Sequence, residues 1–270
     1  MNVDKCKRQE ELEKRLGEQI AENSSTQSLQ RAYDEFHGYI LKYGIRNAPP
    51  EGYVYKKGLS FFDRLLLRLI GKNRKVLDIG CGEGTLALAC AKDNNVTGLD
   101  ISNIMVELAN SRTGSSQAEF QVGDARDLRF PDNSFDVVIC KDVVEHIPEK
   151  DLATHLQEVR RVLKEGGFYL LYTPSKLLGD LSLGLHFKMY GLTDMVPILR
   201  KNNFRVEVIC HWLALLGLPA KISNPMLISA ILAYEELLWR MKIGRFLARL
   251  GNLSYIIVPP VWLCATKDKP

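Results

Sequence analysis

The chain has 270 residues, of which 46% are hydrophobic and 25% charged, enough apolar material for one large core or two small ones. No segment approaches the roughly 20 uncharged apolar residues that span a bilayer, no apolar leader follows Met1, and no cysteine pair has metal or redox spacing, so a cytoplasmic protein with reduced thiols is expected. The net charge of +4 hides a pattern: residues 1–75 hold 15 Lys+Arg and 10 Asp+Glu (+5), residues 76–175 hold 9 and 16 (−7), and residues 176–270 hold 12 and 6 (+6). The basic flanks are either solvated surface or contacts for an anionic partner.

Along the chain, residues 4–22 are charge-rich with Leu12, Leu16 and Ile20 four apart, which predicts a narrow-striped helix. The run Asn23, Ser24, Ser25, Thr26 breaks it, and a second helix is predicted over about 28–43. Pro49, Pro50 and Gly52 mark a linker at 47–52, and an apolar helix is predicted at 59–70. From Lys75 the texture changes. Short apolar strands are predicted at 76–79, 96–99, 119–122, 135–140 and 168–172, with helices at 86–91, 103–110 and 149–164 between them, the last stopped by Gly166 and Gly167. That alternation implies parallel βαβ units. A helix at 192–202, a strand at 204–210 and a last strand at 256–266, disturbed by Pro259 and Pro260, complete the pattern. The expected fold is α/β: a doubly wound, Rossmann-like, mostly parallel seven-stranded sheet. An N-terminal helical cover (1–58) precedes a domain over 59–270, with a helical insertion at about 211–254.

The chemistry centres on Val76-Leu77-Asp78-Ile79-Gly80-Cys81-Gly82-Glu83-Gly84-Thr85, a strand running into a glycine turn and then a helix. Glycines allow a sharp turn and a close ligand approach. The dinucleotide pattern needs its third glycine at 85, where Thr85 stands. Asp78 and Glu83 would repel a pyrophosphate, but they suit a ligand carrying an ammonium and a sulfonium. Asp100 closes the second strand, 20 residues after Gly80, where a carboxylate can accept from both ribose hydroxyls, unless it caps the next helix instead of Ser102. Asp124, after Gly123, ends the third strand, where it can accept from an adenine amine or serve as an ordinary turn acid.

In order, VLDIGCGEGTLALACA, VTGLDIS, GDARDLRFPDNSFDVVICKDVVEHI and VLKEGGFYLLYTPS resemble the motifs of class I S-adenosylmethionine-dependent methyltransferases, over about residues 60–210. The branch they most resemble contains the ubiquinone and menaquinone biosynthesis methyltransferases. The resemblance implies S-adenosyl-L-methionine as cofactor. Asp78, Gly80, Cys81 and Gly82 would lie along its methionine part, Asp100 and Ile101 at the ribose and adenine, Asp124 and Ala125 at the adenine amine, and Lys141 near the amino group.

The segment Asp142-Val143-Val144-Glu145-His146 resembles the Glu-x-x-Glu-His segment of ubiquinone O-methyltransferases, with Asp142 replacing the first Glu. Metal is not expected here, and His146 is the candidate general base, since an imidazole titrates near neutral pH. His186 and Tyr190 fall in a region that relatives use as a substrate lid, where His186 is equally a structural donor. The insertion combines Ile231, Leu232, Leu238, Trp239, Phe246 and Leu247 with Arg240, Lys242, Arg245 and Arg249. It reads as a lid packed on the sheet, a roof over a greasy channel, a dimer interface or a peripheral membrane contact. The expected reaction is methyl transfer to a small, hydrophobic O, N or C nucleophile. An RNA or protein methyltransferase and a catalytically inactive cofactor-binding scaffold are the alternatives; no DNA partner is expected.

Overall fold

The computed structural model describes residues 3–43, 59, 61–114, 116–176, 185–209, 221–240 and 261–267. The predicted linker at 47–52, most of the insertion and the Pro259–Pro260 interruption lie outside them. The chain divides into two compact units, Met1–Arg129 with Ser182–His186, and Phe130–Leu181 with Phe187–Pro270.

The first unit holds α1 (Val3–Glu22), α2 (Thr26–Tyr43), α3 (Phe61–Ile70), β1 (Lys75–Ile79), α4 (Thr85–Cys90), β2 (Asn95–Asp100), α5 (Asn103–Arg112) and β3 (Ala118–Val122). Its strands run in the order β3-β2-β1, all parallel, pairing Asp78 with Gly98 and Asp100 with Val122. Leu16 and Ile20 of α1 are wholly buried, as their spacing predicts. Val76 and Leu77 on β1 are both fully buried although they point to opposite faces, the burial expected of a parallel strand covered on both sides.

The second unit holds β4 (Phe135–Lys141), α6 (Leu152–Val162), β5 (Leu163–Thr173), α7 (Leu192–Lys201), β6 (Phe204–Ile209), β7 (Lys221–Ile222), α8 (Pro225–Arg240) and β8 (Val261–Lys267). The order is β4-β5-β8-β6-β7, with β4 and β5 parallel and β8 antiparallel to both β5 and β6. The described residues thus hold one strand more than the seven expected; the addition is the two-residue β7, too short to leave a sequence pattern.

Helix α6 ends earlier than its glycines suggest, at Val162, and β5 begins at once and runs through Gly166 and Gly167. The reason is local. The β4–β5 register slips between Phe135 and Val137, and a Cβ on Gly167 would stand 2.9 Å from the Lys164 carbonyl. The glycines carry a bulge inside the strand rather than a stop before it.

Candidate cofactor site

Strand β1 delivers its chain to a turn in which Gly80, Gly82 and Gly84 all have positive φ (71°, 53° and 79°). The turn is stitched to the end of β2. The Gly80 and Cys81 N–H groups donate to the Leu99 carbonyl at 2.7 and 3.1 Å, and the Gly82 N–H donates to Asp100 Oδ2 at 2.9 Å. The third strand joins the same knot, because the Gly123 N–H donates to the Asp100 carbonyl at 2.9 Å. Space is open where a Cβ on Gly82 would lie, whereas one on Gly84 would stand 2.7 Å from Phe120. The turn therefore packs inward at Gly84 and leaves Gly82 clear for a ligand to approach its backbone.

Asp100 does not cap the following helix. Ser102 does, its side chain accepting from the Met105 N–H, while Asp100 Oδ1 accepts from the Ser102 N–H at 2.9 Å. Burial raises the Asp100 carboxyl above the usual carboxylate range, against the two backbone donors and the nearby His37. Burial in turn lowers the His37 imidazole, whose buried Nδ1 has no hydrogen-bond partner among the described residues. Ile101 beside Asp100 is half-buried.

Asp78 is buried within β1, and Cys81 is a buried free thiol that burial and Asp78 hold in its neutral form. Glu83 turns towards α5. Its carboxylate accepts from the Thr85 hydroxyl at 2.8 Å, and its carbonyl accepts from Arg112 Nη1 at 2.8 Å.

Asp124 is buried and heavily engaged. Its Oδ1 accepts from the Arg126 N–H and Nε, each at 2.9 Å, and its Oδ2 accepts from Arg126 Nη2 at 2.6 Å and from the Thr26 hydroxyl at 2.7 Å. Its pKa lies below the ordinary value because those donors outweigh desolvation, the largest single influence. Ala125 beside it is half-buried.

Helix α2 thus touches the strand ends at two places. Thr26 meets Asp124, and Asp34 accepts from Ser102 Oγ at 2.7 Å and from Asn103 Nδ2 at 2.9 Å. Thr26, Asp34 and His37 were missed by sequence reasoning. Their partners lie far away in the chain, and a polar residue on a helix carries no local sign of its partner.

Lys141 and His146 belong to the second unit. Lys141 Nζ stands 3.4 Å from Asp142 Oδ2 and over the Tyr172 ring. His146 is half-buried, and the residue before it is the one the fold encloses: Glu145 is 1% exposed and bonded to the Thr173 hydroxyl at 3.0 Å. Burial, reinforced by Asp142, pushes the Glu145 pKa up to about 8. The backbone holds this corner in place, since the Phe187 N–H donates to the Glu145 carbonyl at 2.8 Å.

The raised value has a consequence for stability. Folded Glu145 binds its proton more tightly than the unfolded chain does, so its contribution is complete below about pH 4.5 and is lost as pH rises to about 8. Glu145→Gln, a neutral isostere, is expected to remove this dependence. The wild-type minus variant difference in unfolding free energy should fall with pH between those limits by at most about 1.4 kcal/mol per unit. Parallel melts across that range would show it; a flat difference contradicts it.

A family model described as a methyltransferase domain matches residues 76–167, the span that contains the glycine turn, Asp100, Asp124 and Glu145. The chain is 41% identical over 153 residues to an uncharacterised methyltransferase, YcgJ, of Bacillus subtilis, covering 51% of this chain and 60% of the relative. It is 36% identical over 151 residues to the demethylmenaquinone methyltransferase of Staphylococcus aureus strain JH9, covering 53% and 60%. Residues 76–167 thus match a methyltransferase domain, and these relatives, similar over about half of the chain, are methyltransferases. The fatty-acid O-methyltransferase of Mycolicibacterium smegmatis is 32% identical over 147 residues, covering 51% of this chain and 53% of that protein. The chain therefore spans about half to three-fifths of these relatives' length. Among solved structures, the [4+2]-cyclase SpnF has TM-score 0.56 at 21% identity, covering 91% of this chain and 98% of its own, and the crystal structure of Bacillus YcgJ has TM-score 0.51 at 21% identity, covering 77% and 98%. These two share the fold.

Proposed function

We propose that this protein transfers the methyl group of S-adenosylmethionine to a small hydrophobic acceptor. One observation carries the reading: Asp100 ties the glycine turn, its own strand end and the Gly123 strand end into one hydrogen-bonded ledge beyond three parallel strands. The C-terminal ends of parallel strands are where open α/β sheets take their ligands. The residues suit this cofactor: acids rather than lysines flank the turn, and Gly82 leaves open space.

In this reading Asp78, Gly80, Cys81 and Gly82 border the methionine part, Asp100 takes the ribose hydroxyls, Ile101 packs on the adenine, and Asp124 meets the adenine amine with Ala125 beside it. Lys141 supplies the backbone near the amino group. Residues 1–58 form the cover, and residues 59–270 the catalytic domain. When bound, S-adenosylmethionine supplies a methyl group on a cationic sulfur. An O, N or C nucleophile of the acceptor would take that methyl group as the carbon–sulfur bond broke, and the acceptor's proton would be released. His146 is the candidate to receive that proton, and Glu145, protonated at neutral pH, holds the corner beside it. Positioning of the two reactants supplies much of the rate, so His146 has a modest part. Metal plays no part in this reading.

The hydrophobic acceptor is supported by the apolar insertion and by relatives whose names specify a fatty acid and demethylmenaquinone. Transfer of label from S-adenosylmethionine to a lipid extract, with none to an RNA pool, is the expected result. Label in RNA alone would move the reading to a nucleic-acid methyltransferase, and tight cofactor binding with no transfer would make the chain a scaffold.

The Thr26 hydroxyl occupies an oxygen of Asp124 that the proposed adenine contact needs. Thr26→Val is therefore expected to tighten S-adenosylmethionine binding, by about fivefold if one hydrogen bond of about 1 kcal/mol competes. Calorimetry would measure it, and weaker binding by Thr26→Val would show that Thr26 assists rather than competes.

A further inference from the structure

Helix α8 is turned the opposite way from an ordinary surface helix. Its acid points in: Glu235 is fully buried, and its two carboxylate oxygens accept from the Leu192 and Thr193 N–H groups at 2.8 and 2.7 Å. These are the first residues of α7, whose opening N–H groups have no partner within the helix and favour a negative charge. A Cβ on Gly191 would stand 2.9 Å from that carboxylate, so the fit is close.

Pinning Glu235 fixes the rotation of α8, and Ile228 and Leu238 are buried with it. The opposite stripe is left to solvent: Met226 is 82% exposed, Leu227 56%, Leu237 54% and Tyr234 38%, with exposed Ala230 and Ala233 between them. Soluble helices place polar residues on such a face. Contiguous exposed apolar side chains of this kind mark an interaction surface.

Charge selects the partner. Between Val208 and Lys267 the only acids are Glu235 and Glu236, and the first of these is turned inward. The cations over the same span are Lys221 and Arg240, which pair with Glu207 and Glu236, Lys267, which donates to the Leu163 carbonyl, and Lys242, Arg245 and Arg249, which lie outside the described residues, so the sequence of this span carries a net positive charge. Arg240 is exposed at the end of the apolar stripe. An apolar stripe in a segment whose sequence has an excess of basic residues matches the boundary between anionic headgroups and acyl chains, where the apolar side chains leave water and each cation near the surface gains about 1 kcal/mol.

We propose that the outward face of α8 docks on an anionic lipid surface. Co-sedimentation of the whole chain with vesicles, without any methyl donor, tests this apart from the catalytic reading. The expected result is pelleting with phosphatidylcholine vesicles containing about one-third phosphatidylglycerol, weakened by salt, and little pelleting with phosphatidylcholine alone. The double variant Leu227→Glu, Leu237→Glu should lose at least about tenfold in vesicle affinity, because each leucine carries more than 1 kcal/mol of burial. Leu227→Met, Leu237→Met should retain binding, and unchanged melting temperatures would show both variants folded. Absence of wild-type pelleting, or pelleting unaffected by the glutamates, overturns the proposal. Self-association in sedimentation velocity that the glutamates abolish, without vesicle binding, would reassign the face to a second copy of the chain.

Discussion

Asp100→Ala is expected to weaken S-adenosylmethionine binding roughly 100-fold, a loss of about 2.7 kcal/mol. Two effects combine. The substitution removes the carboxylate proposed to accept from the ribose hydroxyls, and charge-assisted hydrogen bonds are the stronger kind. It also leaves the Gly82 and Ser102 N–H groups without the acceptor that holds the turn against β2. Calorimetry with the wild type and variant would measure the change, and circular dichroism would confirm that the sheet persists. Asp100→Asn should retain part of the affinity, since its side-chain carbonyl can still serve one of the two backbone donors. Unchanged affinity in Asp100→Ala would remove Asp100 from the site and the cofactor assignment with it.

Gly84→Val is expected to lower the melting temperature by roughly 10 °C, from about 3 kcal/mol of destabilisation. Gly84 sits at φ 79°, where a side chain costs about 1–2 kcal/mol, and more when β-branched. A Cβ there would stand 2.7 Å from Phe120 Cζ and 3.2 Å from Ala109 Cβ, and overpacking of that kind adds about 1–3 kcal/mol. Phe120 cannot simply swing away, because Gly98 already gives it room on the neighbouring strand: a Cβ on Gly98 would lie 2.4 Å from its ring. Gly84→Ala should fall between the wild type and Gly84→Val. A calorimetric melt of Gly84→Val within about 2 °C of the wild type would show that the turn relaxes freely, contrary to this account.

The division between sequence and structure follows the range of the interactions. The strand, turn and helix at 75–90 were legible because everything that shapes them is adjacent: an apolar run, glycines at alternate positions and a helix beginning at Thr85. Asp100 and Asp124 were legible for a related reason. Each closes a strand, and parallel strands bring their ends together without any further instruction. The buried faces of α1 and α6 followed from their spacing.

Other features depended on contacts between distant residues. Sequence spacing singled out His146, yet the fold encloses Glu145, because only tertiary packing decides which of two neighbours loses its water. Asp124 stands in the expected place, but Thr26, 98 residues earlier, and Arg126 already engage it. The insertion at 211–254 showed apolar and basic residues in one segment without saying which face was inward. That was decided by Glu235, 43 residues from Leu192, which turns a charge into the protein and leaves Leu227 and Leu237 outside. The sequence by itself determined the sheet class, the glycine turn and the acids at three strand ends, since chain connectivity and strand burial impose them. Tertiary structure alone decided which carboxylates are already paired, which one is held protonated and which side of α8 faces water. Each of these is set by the desolvation and hydrogen bonds that a residue meets only when distant segments come together.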